Sequence, residues 1–185
     1  MIIVNHNKYQ KFFSCCQNIS SKILSMQLQK ELFSTPIETP DLIGKVLMPN
    51  TGLIILSGAD FTIFFKIMFS RKTLKDIINN SPSNEKIDDF IKECCNQTVG
   101  KLKEIFFNTL KISLAISLPL KISGFDELYF SLRKEDLHFF YWKIFSSDTE
   151  FICSLEIESI SDFNLDNFNL LEFNENLHVK DVEFL

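Results

Sequence analysis

The segment FFSCCQNISSKI, which begins at Phe12, returns in altered form as FIKECCNQTVGKL from Phe90. Superposing the two Cys pairs sets Cys15 on Cys94, Cys16 on Cys95, Gln17 on Asn96, Asn18 on Gln97, Lys22 on Lys101 and Ile23 on Leu102, an offset of 79 residues. Each copy is followed by an apolar stretch that holds a Pro, TPI at 35–37 and LPL at 118–120. Self-similarity of this kind marks an architecture of like units that share one core. The chain has 185 residues, enough for one ordinary domain. Two halves, each a helix followed by strands, therefore imply one pseudo-symmetric domain.

Periodicity fills in the halves. In residues 9–28, Phe12, Cys15, Cys16, Ile19, Ile23 and Met26 recur at intervals of mostly three and four, as on an amphipathic helix. From residue 30 to 69 the pattern becomes short apolar runs cut by Pro36, Pro40, Gly44, Pro49, Asn50, Gly52 and Gly58. These read as strands, with hairpin turns expected at 50–52 and 57–60. Ser70 can cap a short helix running to about residue 79, and Asn84 with Glu85 opens a long one over about 85–108. Residues 111–120, 137–145 and 150–157 are rich in β-branched and aromatic types and read as strands of a mainly antiparallel sheet. The expected fold class is α/β of the α+β kind. The domain is expected over residues 1–160. Residues 161–185, acidic and Asn-rich with isolated Phe and Leu, form a tail that reads as a loose appendage or a docking segment.

Composition excludes several classes. With 45% hydrophobic residues and twenty Phe, the chain can bury a substantial core and is not disordered. A net charge of -5 and scattered Lys and Arg argue against nucleic acid as a partner. No apolar run approaches the roughly 20 residues of a membrane span, and the start has no secretory pattern. A cytoplasmic protein with reduced thiols is expected, without a membrane partner. The five Cys match neither a disulfide framework nor zinc knuckles, so no metal site is expected and the thiols read as small buried hydrophobes.

The long helix is amphipathic in an informative way. Ile87, Ile91, Cys94, Thr98, Leu102 and Ile105 fall on one arc, the expected core face. At roughly 100° per residue, Asp89, Glu93, Asn96 and Gly100 lie within about 60° of one another on the opposite side. A Gly inside a helix is destabilising by about 0.5–1 kcal/mol relative to Ala. On an outward face Gly100 is not explained by the protein's own packing. It suits a surface that another molecule approaches closely, and Lys103, one turn further, extends that face toward a partner.

Glu93, Asn96 and Gly100 in ECCNQTVG, followed by ISLPLKISG at 116–124, resemble the Glu-x-x-Asn helix and the following Pro-containing strand of the CheC, CheX and FliY chemotaxis phosphatases. The leading helix, the GLIIL strand at 52–56 and the final strand pair agree with that pattern. Gln97 and Thr98 depart from it, standing where more apolar residues are expected. CheC carries the acid and amide pair on both related helices, whereas CheX has one functional copy. Here Ser14 and Gln17 occupy the positions of Glu93 and Asn96 in the first helix. The CheX arrangement therefore fits better.

The resemblance implies a pseudo-two-fold, CheC-like domain with long helices across a continuous sheet. It further implies hydrolysis of the aspartyl phosphate of a phosphorylated CheY-type response regulator, with Asn96 orienting the attacking water and Glu93 pairing with the regulator's Lys. No cofactor of its own is implied, since Mg2+ is carried by the regulator, and a homodimer is the expected assembly. Two other readings stand beside it. One is a regulator-binding or flagellar-switch adaptor of the same fold without hydrolysis. The other is an unrelated enzyme built on His6, His138 or His178, which no local spacing joins to a nucleophile.

Overall fold

The computed structural model describes residues 6–37, 48, 50–78, 82–123 and 138–159. Helix α1 (His6–Leu28) is followed by strands β1 (Phe33–Pro36), β2 (Asn50–Ser57) and β3 (Phe61–Phe69). Then come the short helix α2 (Arg71–Ile77), the long helix α3 (Asn84–Ile105) and a π-helical turn (Phe106–Leu110). Strands β4 (Ala115–Ile116), β5 (Leu120–Ser123), β6 (His138–Phe145) and β7 (Glu150–Ser159) complete the described chain.

All the strand pairings are antiparallel, and the sheet order is β1-β6-β7-β3-β2-β4 with β5 also on β2. That order is a two-fold repeat. The first half contributes α1, β1, β2 and β3, the second α3, β4 with β5, β6 and β7, and the pseudo-axis passes between the central strands β3 and β7. Each half lends its first strand to the other. β1 pairs with β6, and β4 and β5 pair with β2, so neither half can complete a sheet alone. An edge strand left unpaired exposes a row of backbone donors and acceptors, and this exchange binds the two copies into one domain.

The helices cover one face of the sheet. Phe12, Cys15, Cys16 and Ile19 of α1 and Ile87, Ile91, Cys94, Cys95, Val99 and Leu102 of α3 are buried against Ile54, Leu56, Ile63, Phe65, Ile67, Trp142, Cys153 and Leu155. The whole expected core arc of the long helix is buried apart from Ile105, which is half-buried. Thr98 is accommodated there because its hydroxyl donates to Cys94 O at 2.8 Å and so is not left unpaired. On the opposite face Met68, Tyr141 and Ile152 form a smaller cluster, and Lys66 forms a buried ion pair with Glu156. All five Cys are free and buried, as expected.

Three local expectations are corrected. Residues 50–52 do not turn but begin β2, paired with Ile67, Met68 and Phe69. Gly52 serves close packing instead: an added Cβ would lie 2.6 Å from Ile91 Cγ2 and 3.2 Å from Cys95 Sγ. The bare backbone lets α3 settle onto the sheet. The hairpin at 57–60 does join β2 to β3. The strand expected at 111–120 starts later and is split. Leu56 faces Ile116 while Leu53 faces Leu120, so three residues oppose two. This bulge turns Leu118 outward, 83% exposed, and the Ser117 hydroxyl accepts from Ile55 N at 3.0 Å. The long helix, expected to about residue 108, leaves the α-helical pattern at Ile105 and widens into the π-helical turn, closed by Lys111 at φ 56°. The 161–185 tail lies outside the described residues.

Candidate functional site

Helix α3 is anchored at its start. The Ser83 hydroxyl accepts from Lys86 N at 3.3 Å, capping the first turn, and Glu85 there complements the helix dipole. One turn on, Asp88 takes hydrogen bonds from Arg71 of α2 at 2.8 and 3.0 Å and pairs with Lys121 of β5 at 3.3 Å. Burial alone would raise the Asp88 carboxyl, but the hydrogen bonds and charges of Arg71 and Lys121 outweigh it and hold it below its ordinary value. Asp88 thus ties three elements together just before the outward stripe.

Asp89, Glu93, Asn96, Gly100 and Lys103 are all exposed along α3, as the helical spacing requires. Asp89 pairs with Lys92 at 3.1 Å. Nothing lies within 4 Å of a Cβ built on Gly100, so the chain's own packing does not require glycine there. Gly100→Ala is therefore expected to raise stability by about 0.5–1 kcal/mol, read as a higher urea midpoint. Asn96 has no side-chain hydrogen-bond partner among the described residues, and its amide faces solvent. Glu93 is held: Gln97 Nε2 donates to Glu93 Oε1 at 2.8 Å, and Gln97 Oε1 accepts from Gln27 Nε2 of α1 at 3.0 Å. Sequence reading missed Gln27 and took Gln97 only as a departure, because nothing in the spacing says that α1 passes beside it.

The first copy of the helix is arranged differently. Ser14 and Gln17 are half-buried, and Gln17 Nε2 donates to Ser34 of β1 at 3.1 Å. That amide is engaged internally where Asn96 is open. Burial pushes the Cys15 thiol up to about 12 and Cys94, Cys95 and Cys153 well above their ordinary value, which disfavours the thiolate form. Among the described residues no group of three or more His, Cys, Asp or Glu side chains could hold a metal, and no helix is long and apolar enough to cross a membrane. His6 and His138 open α1 and β6, and His178 lies outside the described residues.

No protein-family model and no curated protein matches the sequence. Solved structures do. The chemotaxis protein CheX from Vibrio vulnificus is similar with a TM-score of 0.61 at 18% identity, over 80% of this chain and 99% of that one. A CheC-like superfamily protein from Shewanella sp. PV-4 has a TM-score of 0.59 at 16% identity, covering 80% and 97%. CheX in the CheX-CheY-BeF3-Mg complex from Borrelia burgdorferi has 0.59 at 12% identity, covering 79% and 97%. Likeness at such identities speaks to architecture alone: the chain has the CheC/CheX fold, with helices packed on a mainly antiparallel sheet.

Proposed function

We propose that this protein is a single-site phosphatase acting on the aspartyl phosphate of a CheY-type response regulator, with Glu93 and Asn96 of α3 as its working pair. The observation that carries the reading is the contrast between the two copies of the helix. Asn96 is open to solvent beside a held carboxylate, while Gln17 is turned onto Ser34 with Ser14 in place of the acid. A structural neighbour solved in complex with CheY supports a response regulator as the class of partner.

The chemistry asks little of the phosphatase. The regulator carries the phosphoryl group, its Mg2+ and a cationic Lys, so what remains is to set a water in line with the scissile bond. In the proposed complex the Asn96 amide holds that water through its oxygen or its N–H. Glu93 pairs with the regulator's Lys and fixes the register of docking one helical turn away. Gly100 leaves room for the regulator's backbone against α3, with Asp89 and Lys103 at the two ends of the contact. The protein needs no cofactor of its own in this scheme, works in the cytoplasm where its regulator is, and is expected as a homodimer.

The test is the decay of phosphorylated CheY-type regulators in Mg2+, alone, with this protein and with its Gln17→Ala variant. Equal acceleration by both proteins is the expected result. Binding without acceleration supports the adaptor reading of the same fold, and loss of acceleration in Gln17→Ala contradicts the single site.

A further inference from the structure

The two glutamines beside Glu93 form a directed chain. Gln27 Nε2 donates to Gln97 Oε1 at 3.0 Å, and Gln97 Nε2 donates to Glu93 Oε1 at 2.8 Å. A carboxylate can only accept, so Glu93 dictates which end of the Gln97 amide faces it, and that choice leaves the Gln97 oxygen for Gln27. Reversing the Gln97 amide would set oxygen against carboxylate and N–H2 against N–H2. Both ends of Gln97 are thus fixed, one by α3 itself and the other by α1. Both glutamines are half-buried, whereas Glu93 is exposed.

We propose that Gln97 is a positioning residue for Glu93, and that Gln27 of the first helix steadies it. This rests on the phosphatase reading above and deepens it. An exposed Glu has several rotamers, and ordering it on docking works against binding. The relay sets the carboxylate beforehand and uses only Oε1, leaving Oε2, which takes no hydrogen bond among the described residues, for a cation of the regulator. The helix that lost its own acid would in this way serve the site on its twin. It also gives Gln97 a reason to be polar where an apolar residue is expected.

The experiment is steady-state dephosphorylation of a phosphorylated CheY-type regulator with Mg2+ by the full chain. Wild type is compared with Gln97→Leu, the near-isosteric Gln97→Glu and Gln27→Leu, each also in a Glu93→Ala background, with Asn96→Ala as the control for the reading. Expected is a rise in KM of about 3- to 10-fold for Gln97→Leu at nearly constant kcat. Gln97→Glu should raise KM at least as much, because it keeps the shape and turns the donor into an acceptor. Gln27→Leu should move it the same way by less. In the Glu93→Ala background none of the three should add anything, a coupling that a structural role would not produce. An unchanged KM, or the same rise without Glu93, overturns the proposal alone. A wild-type chain that accelerates no regulator overturns the phosphatase reading and the proposal with it.

Discussion

Trp142→Ala should lower the unfolding free energy by about 3–5 kcal/mol, a large part of the 5–15 kcal/mol typical of a domain. Trp142 is fully buried in β6, where the two halves meet. Its ring lies edge-on to Phe13 of α1 at 5.3 Å and beside Phe65 of β3 at 6.1 Å, and it faces Pro36 of β1 in the neighbouring strand. One residue of the second half thus packs on three elements of the first. Its indole N–H donates to Ser20 Oγ at 3.1 Å, and that hydroxyl in turn donates to Cys16 O at 2.9 Å. Truncation removes the ring contacts and opens a cavity that the rigid sheet cannot close. Trp142→Phe keeps most of the ring and leaves Ser20 its bond to Cys16, so its loss should be smaller. Urea unfolding followed by far-UV circular dichroism measures both, with the slope unchanged. A loss under about 1 kcal/mol for the Ala variant would mean that the two halves are not joined through this side chain.

Asn96→Ala should slow the phosphatase reaction by a factor on the order of 10², the scale at which a misplaced reactant is felt. The prediction is clean because the side chain is exposed and makes no hydrogen bond to the described residues. Removing it breaks nothing inside the protein, and Ala favours a helix interior more than Asn does. Stability should hold or rise slightly. Affinity for the phosphorylated regulator should also persist, since register is assigned to Glu93. A fall in kcat with affinity and urea midpoint intact is the signature expected of a group that acts only in the transition state. A parallel fall in affinity would make Asn96 a docking residue and favour the adaptor.

The fold was legible to the extent that it depends on helix period and duplication. The arc from Ile87 to Leu102 is buried as its spacing requires, and the Cys pairs at the heart of the repeat lie under both helices. The exposed stripe of Asp89, Glu93, Asn96 and Gly100 follows from the same arithmetic. What stayed hidden depends on contacts between elements distant in sequence. Gly52 looked like a turn because glycine usually marks one, yet it is the approach of Ile91 and Cys95 that excludes a side chain. The bulge at Ser117 is a mismatch of register between β2 and its two short partners, which a single strand's pattern cannot show. Gln27 and Gln97 are 70 residues apart, and their meeting depends on how α1 crosses α3. The exchange of β1 and β5 between halves is hidden for the same reason, since strand pairing across halves is a long-range contact.

The central claim is that this chain turns over a regulator's aspartyl phosphate and does not merely bind it. The most direct measurement is the decay of a phosphorylated CheY-type regulator, in Mg2+, with the protein present at a small fraction of the regulator's concentration. The account predicts that the whole phosphorylated pool decays faster, in proportion to the protein added, with each protein molecule serving many regulators. A pool that decays at its own rate, or whose bound fraction alone is protected from decay, would contradict it.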